Sequence, residues 1–246
     1  MLYLHEIIDI IGDGQQAYLD TVAERARHSE EAGISRLMGT WKVIGSTNRW
    51  PRVVNLWEMD GWSHWAASLE RQFLPSKQDA HLAPWWSKAT QWRSGGFDRI
   101  LEPAAYSPTR EQLRTQRFTA WVCVHSLVRL VPGRRDAYLD AVGRILRPVL
   151  ESRGLVLFGA YAVPMRSDEA VVVWAAPDFQ QLCRLYQGRD ADAKLQKWNT
   201  RVRPLRLQFE TMWLVPSAQC FFHPEQRNRS LREKGGRGRA RKPATR

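Results

Sequence analysis

The chain has 246 residues, 43% of them apolar, with a formal net charge of +12. That apolar fraction is ample for a core, yet no run approaches the roughly 18 uninterrupted apolar residues of a membrane span. Residues 224–246 hold nine Lys/Arg and two Glu, so more than half of the net charge sits in a tail, and the mildly basic body argues against a nucleic-acid groove. Three widely spaced cysteines (Cys123, Cys183, Cys220) suit small buried residues in a reducing compartment, not a disulfide framework. The N-terminus has neither a basic leader nor a small-residue cleavage site, so the expected location is the cytoplasm.

Residues 2–10, LYLHEIIDI, read as a strand, and Gly12-Asp13-Gly14 breaks the chain. Tyr18, Leu19, Val22, Ala23 and Ala26 then form one helical stripe, stopped near Gly33. Residues 34–44 alternate, with Leu37, Gly39, Trp41 and Val43 on one side; turn residues follow, then a strand from Val53 to Met59, which predicts an antiparallel hairpin. A second helix is expected over Trp62–Phe73, an irregular stretch over 74–96, and a last strand over Phe97–Leu101.

The same order returns after a linker. AYLDTV at 17–22 reappears as AYLDAV at 137–142, and at that offset of 120 His5 meets His125, Gly39 meets Gly159 and Trp41 meets Tyr161. Trp57 meets Trp174 with the offset reduced to 117. The chain is two copies of one β-α-β-β-α-β unit, each a ferredoxin-like α+β module. The expected division is 1–106, a linker 107–118, 119–223 and a disordered basic tail 224–246. In the second copy the first helix is expected to run unbroken from about Arg134 to Ser152. A four-stranded sheet with helices on one face must bury the other, so the two antiparallel sheets should face each other.

The segments LVPGRRDAYLDAV (130–142), NLWEMDGW (55–62) and RILEPAAYSP (99–108) resemble the NIPSNAP group of the dimeric α+β-barrel superfamily. Met59 and the Ala-Ala-Pro-Asp of residues 175–178 depart from that pattern. The resemblance implies a pseudo-twofold barrel within one chain or a homo-oligomer of such chains. It also implies either cofactor-free oxygenation, isomerisation or dehydration, or haem chemistry, or a non-catalytic scaffold. It leaves open whether the protein is an enzyme.

On strand one, Leu4, Ile8 and Ile10 share a face with helix-side character, and Tyr3, His5 and Ile7 share the other. His5 and His125 are therefore expected to point between the sheets as candidate catalytic groups, since imidazole titrates near neutrality. Histidines bonded to backbone are the plainer alternative. Trp41, Tyr161, Trp57 and Trp174 are expected to wall an aromatic pocket there for a small hydrophobic or aromatic ligand, although ordinary core packing explains such residues equally well. Eight of the twelve tryptophans fall within residues 41–92, and Trp85-Trp86 suggests a lid on the substrate side or an oligomer contact. Glu58 and Asp60 are expected to end a strand and begin a turn. No phosphate loop, dinucleotide fingerprint, HExxH, CxxC or GxSxG occurs, so no metal site and no cofactor is expected, haem being the one alternative. The basic tail offers a surface for nucleic acid or anionic lipid, a weaker reading than a solvated tail with no ligand.

Overall fold

The computed structural model describes residues 1–188 and 191–226. The expected basic tail lies outside the described residues from 227 onward. Among the described residues no helix is long and apolar enough to cross a membrane.

The first unit runs β1 (Leu2–Ile10), α1 (Gln15–Glu31), β2 (Arg36–Val43), β3 (Arg52–Met59), α2 (Trp62–Phe73), α3 (Leu82–Ala89) and β4 (Arg93–Pro103). After α4 (Arg110–Gln116), the second runs β5 (Val122–Leu130), α5 (Arg135–Ala141), α6 (Arg147–Glu151), β6 (Val156–Ala162), β7 (Glu169–Ala176), α7 (Phe179–Gly188), α8 (Ala193–Val202) and β8 (Arg206–Pro216). All eight strands form one antiparallel, closed barrel in the order β1-β3-β2-β8-β5-β7-β6-β4. The expected pair of facing sheets therefore joins at both edges. Trp41, Lys42 and Val43 of β2 pair with Pro216, Val215 and Leu214 of β8. Glu102 and Pro103 of β4 pair with Ala162 and Tyr161 of β6. Closure pairs the edge strands of the two sheets over these short stretches.

Side-chain alternation divides the core into an interior and two outer layers. Tyr3, Ile7, Trp41, Leu56, Cys123, Phe158, Tyr161, Val173 and Met212 fill the barrel. Outside it, Ile8, Ile10 and Trp57 pack against Tyr18, Leu19 and Val22 of α1. Val124, Val128, Leu130 and Trp174 pack under the helices of the second unit.

Several local features differ from the sequence pattern. The β2–β3 register shifts between Leu37 and Gly39, so Leu37 packs on the helix side while Trp41 and Val43 enter the barrel. The reason is a bulge, which places an extra residue in one strand and breaks strict alternation. Glycine is needed there because a Cβ on Gly39 would collide with the folded-back Trp41 ring; Gly159 plays the same part beside the Tyr161 hydroxyl. The first helix of the second unit widens into a π turn over Val142–Leu146. Pro148 lacks the N–H that a continuous helix would direct at residue 144, and Gly143 sits against the Tyr106 ring, whose hydroxyl donates to the Leu139 carbonyl at 2.6 Å. The irregular stretch contains the helix α3, and the last strand of the first unit extends to Arg93–Pro103.

The expected linker is partly helical and does structural work. Thr109 caps α4 in a reciprocal box with Gln112, and Leu113 is fully buried against the barrel interior. The Arg110 N–H donates to Glu58 Oε2 at 2.8 Å, as does the Tyr3 hydroxyl at 2.9 Å, so Glu58 is a buried anchor at the end of β3. Residues after β8 close the same end: Phe222 is fully buried, its carbonyl accepts from the Ala120 N–H at 3.1 Å, and Cys220 Sγ sits 3.2 Å from the Thr40 carbonyl. Phe222→Ala should cost roughly 3–5 kcal/mol. At about 2–4 °C per kcal/mol for a chain of this size, calorimetry should record a fall in unfolding temperature of about 10 °C.

Candidate functional site

The two matched histidines do meet, across the barrel. His5 Nε2 and His125 Nε2 lie 2.9 Å apart, with the rings stacked at 4.9 Å, and the residues are 1% and 0% exposed. One nitrogen donates and the other accepts, an arrangement that two neutral rings can make. Burial lowers both pKa values, that of His125 to about 3, and the Arg99 guanidinium nearby adds to the effect. Each Nδ1 is buried without a hydrogen-bond partner among the described residues. Trp41 and Tyr161 share this interior, packed against Phe158 and Tyr3 at ring separations of 5.4 and 5.0 Å. Trp57 and Trp174 do not join them. Both lie on the outer, helix-facing side, because Trp57 pairs with Leu4 and Trp174 with Val124, residues of the helix-side face.

The larger cavity, of about 400 Å³, lies in that outer layer of the first unit, between the β1–β3–β4 surface and helices α1, α2 and α3. Trp57, Trp85 and Trp86 line it together. Trp85 and Trp86 stand on a helix rather than a loop, edge to face at 4.9 Å, with Trp85 Nε1 donating to the Thr21 carbonyl at 2.8 Å. Asp79 holds the preceding segment to α1 through Arg25 at 3.2 Å and His28 at 3.0 Å.

Two carboxylates, Glu6 and Asp98, line the cavity. Glu6 and Asp98 are direct cross-strand partners of β1 and β4. Glu6 Oε2 accepts from Trp57 Nε1 at 2.8 Å and from Asn55 Nδ2 at 3.0 Å. That fixes one carboxylate oxygen of a side chain that lines the cavity. Desolvation raises the Glu6 pKa, the Asp98 charge raises it further, and the two hydrogen bonds partly offset this. Desolvation also raises that of Asp98, against the opposing pull of Arg93 and Arg99. The Tyr18 hydroxyl, which accepts from Asn55 Nδ2 at 3.5 Å, stays protonated because burial pushes its pKa far up. Arg93 stacks on Trp86 at 4.8 Å and keeps Nη1 buried without a partner among the described residues.

Glu6, Asp98 and Arg93 were not among the residues singled out from the sequence, yet the repeat contains a signal for them. Glu6 stands opposite Ser126 at the offset of 120. β4 aligns with β8 at an offset of 113, placing Asp98 opposite Thr211. An acid in one copy against a hydroxyl in the other, at both partners of a cross-strand pair, marks a divergence that packing does not require.

Haem needs an axial ligand facing a slot wide enough for the macrocycle. The barrel histidines face each other instead, and no histidine lines this cavity or the smaller one described below. Neither cavity therefore offers a haem an axial imidazole. Among the described residues no cluster of three or more His, Cys, Asp or Glu is arranged to hold a metal ion.

No protein-family model and no curated protein matches the chain. Solved structures do. An anthrone oxidase-like protein aligns over 88% of this chain and 91% of its own, with a TM-score of 0.61 and 12% identity. The fold is that of the dimeric α+β barrels. A monooxygenase-like protein from Lactobacillus acidophilus aligns over 87% and 93%, with a TM-score of 0.59 and 10% identity. A NIPSNAP domain protein from Burkholderia xenovorans covers 44% of this chain and 100% of its own, at 22% identity and a TM-score of 0.37. The tandem α+β-barrel architecture expected from the sequence is therefore present.

The histidine pair has a pH signature. Both groups have folded-state pKa values depressed below the unfolded value near 6.5. The unfolded chain thus binds more protons below that pH, and stability is lost as pH falls from about 6.5 toward 3, by up to about 1.4 kcal/mol per pH unit for each histidine. Chemical denaturation of wild type and a His5→Gln/His125→Gln variant between pH 7 and 4 should show the wild type losing stability more steeply. Parallel curves would mean that the histidines are not buried neutral.

Proposed function

We propose that this chain is an enzyme that binds a small hydrophobic or aromatic molecule in the first unit's helix–sheet cavity and moves a proton on it, with Glu6 as the base. The observation that carries this reading is the Glu6 carboxylate, fixed through one oxygen by Trp57 and Asn55, destabilised as an anion by burial and by Asp98, and lining an aromatic-walled cavity. A carboxylate with a raised pKa is a stronger base and operates closer to neutral pH.

In the step proposed, the free Glu6 oxygen takes a proton from an acidic C–H or phenolic O–H. The bonding pair remains on the substrate as an enolate or phenolate. The protonated Tyr18 hydroxyl, which lines the cavity, is placed to donate to that charge, and the tryptophan walls reduce its exposure to water. Return of the proton to a different carbon completes an isomerisation with no co-reactant. Oxygenation, suggested by the names of similar structures, would use dioxygen on the same anion. The expected role of His5 and His125 as acid/base groups passes to Glu6, because both imidazoles are sealed in the barrel and paired with each other.

The test is hydrogen–deuterium exchange in D2O at the acidic methylene of 2-tetralone or anthrone, followed by NMR. The protein should accelerate exchange, and Glu6→Gln should lower that acceleration by about 10²–10⁴-fold while leaving the unfolding temperature near wild type. Activity should rise with pH as Glu6 ionises. Asp98→Asn, by removing the like charge, should move this acidic limb to lower pH. Binding without exchange would leave a binding or scaffold protein as the function.

A further inference from the structure

The second unit keeps a cavity of its own in the equivalent layer, of about 140 Å³, lined by Val124, Leu146, Leu150, Val172 and Trp174 among apolar residues and by Ser126, Thr211 and Arg206 among polar ones. Its chemistry differs from the first in one respect. Arg206 pairs with Leu130 after a register shift in β8, as Arg93 pairs with Ile10 after a register shift in β1–β4, so the two arginines occupy equivalent positions. Arg93 faces the carboxylates of Glu6 and Asp98. At the matching places Arg206 finds Ser126 and Thr211, which pair with each other across β5 and β8. The cation is retained and both its counter-charges are gone.

Among the described residues no carboxylate replaces them. Arg206 is half-buried, and its guanidinium stacks on the Phe209 ring at 4.9 Å. It makes no ion pair with a carboxylate among the described residues, and its charge is disfavoured by desolvation with only the Tyr138 hydroxyl to help it. The Thr211 hydroxyl beside it is buried without a hydrogen-bond partner among the described residues. A half-exposed guanidinium without a carboxylate partner among the described residues and a buried, unpartnered hydroxyl, both lining one apolar cavity, are complementary to an anionic acceptor carried on an apolar body.

We infer that this cavity is a second ligand site, taking a small apolar monocarboxylate whose carboxylate meets Arg206 and the Thr211 hydroxyl and whose hydrocarbon part packs on Trp174. The size fits: an apolar cavity of about 150 Å³ takes up a benzene ring. The two halves of the barrel would then have opposite preferences, an acid-lined site that works on a neutral carbon acid and a cation-lined site that holds an anion.

The experiment is isothermal titration of the full chain with benzoate and, separately, with benzyl alcohol, which keeps the ring and removes the charge. Benzoate should bind saturably and at least tenfold more tightly than benzyl alcohol. Arg206→Met should weaken benzoate tenfold or more with little effect on benzyl alcohol, and Arg206→Lys should restore part of the loss. Thr211→Val should weaken benzoate by a few-fold. Equal binding of the two ligands, absence of saturable benzoate binding, or benzoate affinity unchanged in Arg206→Met would each overturn the proposal. The comparison of ligands on the unaltered chain stands even if Arg206→Met fails to fold.

Discussion

Each four-stranded sheet carries its helices on one side only, so the other side, with Tyr3 and His5 in one copy and Cys123 and His125 in the other, has to be covered by a second sheet. The chain supplies that second sheet itself. Two seams complete the cylinder, three residue pairs between β2 and β8 and two between β4 and β6. Everything else follows from this closure. The interior becomes a packed core in which the two histidines meet each other, and the two cavities described lie in the helix–sheet layers outside.

That division of labour explains why equivalent residues in the two copies fare so differently. Inside, symmetry brings His5 and His125 onto one another, and duplication yields a self-pairing contact that leaves each ring's second nitrogen unpartnered. Outside, the two copies never meet, and each layer has been free to change its lining. Asn55 of the first layer corresponds to Val172 of the second, Glu6 to Ser126 and Asp98 to Thr211, while Tyr18 and Tyr138, Trp57 and Trp174, and Trp85 and Trp198 keep the same frame. The scaffold is conserved between halves and the polar groups are not.

Most of the fold was legible in the sequence, because the repeat is long and the alternation on β1 and β5 is clean. The span of α2 and the inward face of His5 and His125 follow from periodicity alone. Where the pattern misled, a backbone irregularity intervened. The bulge at residues 37–39 reverses which side Leu37 faces, and Trp57, expected between the sheets from its match with Trp174, is placed on the helix side by its pairing with Leu4. The carboxylate pair is harder to read from sequence, since Glu6 and Asp98 are 92 positions apart and become neighbours only through the β1–β4 register. A histidine announces chemistry by its type; a glutamate does so only once its burial and its partners are known.

The segment between the copies has a further meaning. α4 is short, capped at Thr109 and pinned by Leu113 and by the Arg110–Glu58 bond, so the second sheet is delivered to the first over a short, ordered path. For two separate chains, seams of two and three residue pairs would have to compete with dilution. Tethering replaces that competition with an effective concentration in the millimolar range for a short connection. The barrel therefore stays closed at any protein concentration, and a substitution in one half is no longer copied automatically into the other. Fusion of the halves is what permits a single molecule to carry two differently lined cavities.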